Sequence, residues 1–198
     1  MSDDTKMDGG RRTLVIATSA VGGAAAAGAA VPFLASLTPS ERAKAAGAPV
    51  EADISKLQPG EMMTVEWRGK PVWILRRTPE QLATLKKDTD LLADPESKRS
   101  DQPLYIKGEA RSIKPEYLVV IGICTHLGCS PGAKFQAGAE SGMGTDWPGG
   151  FLCPCHGSTF DLAARVFKNK PAPDNLPIPP HTYLSDTRIL IGEDSKGA

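Results

Sequence analysis

Net charge is missing from this 198-residue chain, in which 23 lysines and arginines balance 23 aspartates and glutamates. No basic stripe interleaved with aromatics runs along it, so a polyanion such as nucleic acid is not the partner. Histidine and cysteine are scarce too, at three and four residues. Random scatter would rarely bring so few residues together. Yet all four cysteines and two of the histidines fall in two short blocks, Cys124-Thr125-His126-Leu127-Gly128-Cys129 and Cys153-Pro154-Cys155-His156-Gly157-Ser158. What the chain has in plenty is Gly and Pro, 20 and 17 residues, which suits a loop-rich β domain. Its length allows one sizeable domain plus an appendage.

Each block offers one thiolate and one imidazole, with a further cysteine left over. Four cysteines could form two disulfides, but then the histidine at each cluster has no reason to be there. Alternatively, a Cys₂His₂ set holds a metal while the remaining cysteines pair. Structural zinc is the plainest occupant of such a set. Zinc, however, needs neither the second cysteine pair nor the Gly and Ser residues around it.

Both blocks resemble, without a gap, the ligand motifs of the Rieske iron–sulfur proteins of cytochrome bc complexes. The resemblance implies one Rieske-type 2Fe–2S cluster, with Cys124 and Cys153 on one iron and His126 and His156 on the other. It also implies a disulfide between Cys129 and Cys155 joining the two ligand loops, and a hydroxyl hydrogen bond from Ser158 to a bridging sulfur. In this class, neutral imidazoles replace two thiolates, which makes an added electron easier to accept. Gly128 and Gly157 permit tight turns without a Cβ. By the same resemblance His156 accepts the quinol hydroxyl and then its proton, with His126 beside it and Leu127 packing by the quinol pocket. Lys170-Pro171-Ala172-Pro173 resembles the family's Pro loop, with Lys170 where relatives usually carry Gly. Phe160 stands where many relatives carry a Tyr that bonds a ligand sulfur, so a lower potential is expected.

A lasting disulfide implies an oxidising compartment, whereas clusters are normally assembled in the cytosol. The N-terminus offers a reconciliation. Arg11-Arg12-Thr13-Leu14-Val15 resembles a twin-arginine signal, a route that exports folded proteins, although Gly10 and Val15 depart from its usual flanks. Residues 13–37 then carry no charge, longer than the roughly 20 residues that span a bilayer. Arg11 and Arg12 place the preceding residues, 1–12, in the cytoplasm as a polar tail. Small residues at Gly22 and Ala26, or Ala24 and Gly28, would let another helix approach. Ala27-Gly28-Ala29 resembles a signal cleavage site, but the apolar stretch runs on through Val31, Phe33 and Leu34, which favours an uncleaved anchor. Residues 38–50 form an Ala-rich connector similar to the hinge of the family.

Residues 51–198 read as the head. Met62 to Trp67 and Val72 to Arg76 flank Arg68-Gly69-Lys70 as a hairpin, with Met63, Trp67 and Trp73 in the core. Thr78-Pro79-Glu80-Gln81 is a capping box with Pro at the first position, predicting a helix to about Lys87. Asp88 to Pro103 reads as loop, and Tyr117 to Ile123 as a buried strand delivering Cys124. Ser130 to Gly150 reads as a surface insertion, and His181 as an ordinary surface or strand residue. Phe160, Val166 and Phe167 suggest strands closing the site, and Tyr183-Leu184 with Arg188 to Ile191 a final hairpin.

The fold expected is therefore mainly β. It comprises a Rieske-type antiparallel β-sandwich head, a cluster-binding subdomain at about residues 120–180, and one N-terminal transmembrane helix. The resemblance implies the Rieske subunit of a ubiquinol–cytochrome c reductase at a bacterial inner membrane, with its head in the periplasm. Its partners would be ubiquinol, a cytochrome b subunit and a membrane-bound c-type cytochrome, within a dimeric complex. Three alternatives are an arsenite oxidase-like electron carrier, a plastoquinol-oxidising subunit, and a zinc-stapled module without redox chemistry.

Overall fold

The uncharged N-terminal stretch is a single helix, α1 (Gly9–Ser36), in the computed structural model, which describes residues 9–87 and 89–194. Its 28 residues reach about 42 Å at 1.5 Å per residue, more than the roughly 30 Å of a bilayer's hydrocarbon core. With a mean hydropathy of 1.8, α1 is long and apolar enough to cross a membrane. Thr13 and Thr18 donate their hydroxyls back to the carbonyls of Gly9 and Leu14, so these polar groups are satisfied within the helix. The helix takes in Gly9 to Arg12, which had been assigned to the polar tail; the rest of that tail, residues 1–8, lies outside the described residues. One more turn of intrahelical bonds is gained by starting earlier.

The connector contains a short helix, α2 (Glu41–Ala46), opened by Ser40, whose hydroxyl accepts from Ala43 N–H. The chain divides at this point into two units, one ending at Ala45 and one running from Ala46.

Nine strands and one short helix build the second unit: β1 (Val50–Asp53), β2 (Met62–Trp67), β3 (Lys70–Arg76), α3 (Pro79–Thr84), β4 (Tyr117–Ile121), β5 (Gly132–Lys134), β6 (Gly150–Leu152), β7 (Thr159–Phe160), β8 (His181–Ser185) and β9 (Arg188–Ile191). They form three antiparallel three-stranded sheets, ordered β1-β9-β8, β2-β3-β4 and β5-β6-β7.

The middle sheet explains the continuous apolar run at Tyr117. Successive side chains of a strand point to opposite faces, and here both faces are covered. Val72, Ile74, Tyr117, Val119 and Ile121 join Ile189 and Ile191 in one core. Trp73, Leu75, Leu118 and Val120 enter another with Phe151, Phe160 and the two free cysteines. All five residues of β4 are buried. The antiparallel β head is thus as expected, with the β2-β3-β4 sheet feeding a core on each face.

Several local expectations are corrected. Helix α3 keeps its capping box but ends at Thr84, with Leu85 turning into the core. Met63 is only half-buried against the core that takes Trp67. The 130–150 segment is not merely an insertion: it supplies β5, and the indole N–H of Trp147 donates to Lys134 O at 2.9 Å. Of the two readings of His181 the strand one holds and the surface one does not: it starts β8 and is 1% exposed. The 88–103 loop, of which Asp88 lies outside the described residues, carries a buried knot. The Asp94 carboxylate accepts from Lys98, Arg99 and Ser100 N–H and from the Ser100 hydroxyl.

Candidate metal centre

Strand β4 hands the chain to the first block through Gly122. Its N–H donates to Pro71 O at 2.8 Å, and a Cβ there would lie 2.1 Å from the Trp73 ring. Only glycine lets the backbone pass under that indole toward Cys124.

The two blocks then fold alike. Cys124 N–H donates to Cys129 O at 2.8 Å, and Gly128 N–H to Cys124 O at 3.1 Å. In the second block Cys153 N–H donates to Ser158 O at 2.8 Å, and Gly157 N–H to Cys153 O at 3.0 Å. Gly128 and Gly157 both sit at positive φ, 82° and 73°, where a side chain would be strained. Equal spacing has produced two equal turns.

The turns bring the candidate ligands together in pairs, Cys124 beside Cys153 and His126 beside His156. Cys124 and Cys153 are free, buried thiols, each 2% exposed. Cys129 and Cys155 are joined by a disulfide that ties loop to loop. The sulfurs of Cys129, Cys153 and Cys155 lie within 4.8 Å of one another, but two of them are consumed by that bond. Of these only Cys153 remains available to a metal, alongside Cys124. Burial pushes the Cys124 thiol above its ordinary value, and the adjacent Cys153 sulfur adds to the effect. The His126 N–H and the Ser158 hydroxyl oppose it. A bound cation reverses the balance by stabilising both thiolates.

The two imidazoles have ring centres 4.7 Å apart and are nearly perpendicular. His156 is exposed, while His126 is half-buried rather than exposed. Nδ1 of His126 is buried and finds no hydrogen-bond partner among the described residues. Such a nitrogen is costly to bury unless something binds it. Leu127, 70% exposed, projects beside them. The Pro loop braces both turns: Ala172 N–H donates to Ser158 Oγ at 2.9 Å, and Thr125 Oγ1 donates to Asp174 O at 2.7 Å. With its oxygen accepting from Ala172, Ser158 keeps its proton for the sulfur side.

Two buried thiols, two adjacent imidazoles with an orphaned nitrogen, and a disulfide strap fit a diiron cluster with mixed ligands. The fold and site thus define a class, the two-loop Cys₂His₂ redox centres carried on an antiparallel β domain. Comparison with known proteins agrees. A family model described as "Rieske [2Fe-2S] domain" matches residues 48–180. Another, described as "Ubiquitinol-cytochrome C reductase Fe-S subunit TAT signal", matches residues 1–40. The ubiquinol-cytochrome c reductase iron-sulfur subunit of Allochromatium vinosum is 63% identical over 188 residues, covering 95% of this chain and 90% of the relative. That of Blastochloris viridis is 41% identical over 195 residues, covering 96% and 97%. A chain of a "Hyperthermophilic respiratory Complex III" aligns at 26% identity with a TM-score of 0.47, covering 88% of this chain and 98% of that one. The chain belongs to the Rieske iron–sulfur subunits of ubiquinol–cytochrome c reductase. Its cofactor is a Rieske-type 2Fe–2S cluster.

Sequence reasoning passed over the charged groups beneath this site. Arg77, Arg111, Arg165 and Asp161 are all buried, and their separation along the chain hid the assembly they form.

Proposed function

We propose that this chain takes one electron and one proton from ubiquinol within a cytochrome bc complex and delivers the electron to the complex's c-type cytochrome. The observation that carries the reading is the pairing of two buried thiols with two imidazoles at an accessible tip. Cys124 and Cys153 would hold one iron, and His126 and His156 the other. When bound, the cluster supplies a one-electron acceptor whose reduction raises the proton affinity of its imidazole ligands. Exposed His156 presents its outer ring nitrogen to the quinol hydroxyl, first as hydrogen-bond acceptor and then as proton acceptor. His126, half-buried beside it, orients the tip, and Leu127 offers an apolar ridge to the quinone ring. The second quinol electron goes to a b-type haem of the cytochrome b subunit. Helix α1 anchors the chain in the bacterial inner membrane, with Arg11 and Arg12 on the cytoplasmic side and the head in the periplasm, in a dimeric complex. The twin-arginine route accounts for a folded, cluster-loaded head crossing intact.

The purified holoprotein is expected to be coloured, to contain iron and no zinc, and to give an electron paramagnetic resonance signal only when reduced. A colourless, zinc-containing protein would overturn the reading. Copurifying b- and c-type haems separate the membrane complex from an exported soluble carrier.

A further inference from the structure

We infer that Arg77, Arg111 and Arg165, gathered around the single carboxylate of Asp161, form a cationic cage beneath the second ligand loop that raises the cluster's reduction potential. All four residues are at most 1% exposed. The cage grips the turn that follows Ser158 and Phe160. Arg77 donates to Leu162 O at 3.0 Å, and Arg111 to the carbonyls of Ala163 and Ala164, both at 3.1 Å. Arg165 donates to Asp161 at 2.8 Å, and Asp161 in turn accepts from Ala163 and Arg165 N–H. Ala164 is held at a φ of 58°, a strained value for a residue with a Cβ.

Capping these carbonyls does not by itself require charge, since a neutral amide could donate the same bonds. What guanidinium adds is positive charge that the buried carboxylates offset only in part. The described residues bury three arginines and two aspartates, Asp161 and Asp94, so positive charge is in surplus. Asp94 accepts hydrogen bonds from the 98–100 loop and also attracts Arg111, so two carboxylates offset three guanidinium groups only in part. Burial pushes Arg77 and Arg111 down to about 10, against the attraction of Asp161, and both remain charged at neutral pH. Nη1 of Arg165 is buried and has no hydrogen-bond partner among the described residues.

The turn that the cage grips begins at Asp161, three residues after Ser158 in the second ligand block. Leu162, Ala163 and Ala164 pack in the same core as Cys124 and Cys153. Reduction adds one negative charge to the cluster. In a poorly screened interior, surplus positive charge favours the reduced form.

This inference rests on the cluster reading above, and the test separates the two. The full-length protein in its complex is titrated by redox potentiometry with paramagnetic resonance detection, comparing wild type with Asp161→Asn, Arg111→Met and the pair Asp161→Leu with Arg165→Met. Asp161→Asn removes a negative charge and is expected to raise the potential; Arg111→Met removes a positive one and is expected to lower it. Each shift should change the oxidised-to-reduced ratio severalfold at a fixed poise. The pair removes one charge of each sign and should shift the ratio less than either single change. Loosening of the turn alone would move both single variants in the same direction. Shifts of equal sign, or none, with the cluster signal intact would overturn the cage. If Arg111→Met fails to assemble, an unchanged or lowered potential in Asp161→Asn is sufficient to overturn it. Absence of the signal in the wild type would instead overturn the cluster reading.

Discussion

At position 160 a hydroxyl is missing. Phe160 is fully buried, paired with Phe151 across β6 and β7 and packed in the core that holds Cys124 and Cys153. Ser158 therefore has no phenolic companion two residues further on, and one less donor leaves negative charge on sulfur less stabilised. Phe160→Tyr is expected to raise the reduction potential; voltammetry showing an unchanged or lower value would refute this. Legibility at this scale follows distance along the chain. Candidate ligands spaced two residues apart, as in Cys124 and His126, announce themselves. Arg77 and the carbonyl it caps at Leu162 are 85 residues apart, and a lone arginine in sequence looks like a solvated side chain. Only the fold reveals that it is 1% exposed.

Elements were legible wherever a period or a cap encoded them. The capping box at Thr78 gave α3 its start but not its end, because the stop is set by burial of Leu85 and not by a local signal. The continuous apolar run at Tyr117 marked β4 correctly, since a strand covered on both faces has no polar alternation to show. Strand β8 was harder, because its first residue, His181, reads as polar. Its ring is buried, with Nδ1 2.9 Å from Pro179 O, and its backbone N–H donates to the Tyr105 hydroxyl. Burial lowers the proton affinity of His181, and the bond to Pro179 only partly offsets this. Below the ordinary histidine value of about 6.5 the unfolded chain therefore binds more protons than the folded one. The stability that neutral His181 permits is present in full above that value and is lost as pH falls toward the folded-state value. Thermal melts between about pH 7.5 and 5 should show a steeper acid-side loss for wild type than for His181→Gln. Whatever is common to the two proteins cancels in the difference. Identical slopes would mean that His181 is not held neutral.

For the whole molecule, the division into an apolar helix and a β head was visible as a change of composition, while the behaviour of the piece between them was not. Helix α2 has six residues, well below the 12–15 or so at which an isolated helix holds in water. It keeps one surface ion pair, Lys44 to Glu41 at 2.7 Å, and such pairs contribute about 0–1 kcal/mol. Helical, those six residues span about 9 Å; extended, about 20 Å. Melting α2 therefore lengthens the tether by roughly 11 Å at little energetic cost. A tether of that kind suits the function proposed above, in which the head would meet quinol and then a separate cytochrome. Replacing residues 38–48 with a Gly/Ser stretch of equal length should leave turnover close to wild type. A Pro-rich replacement stays extended and stiff; it should slow reduction of the c-type cytochrome severalfold while the cluster's spectrum stays unchanged. Stopped-flow haem reduction in the assembled complex reads this directly, and full turnover with the stiff tether would show that the connector is only a spacer.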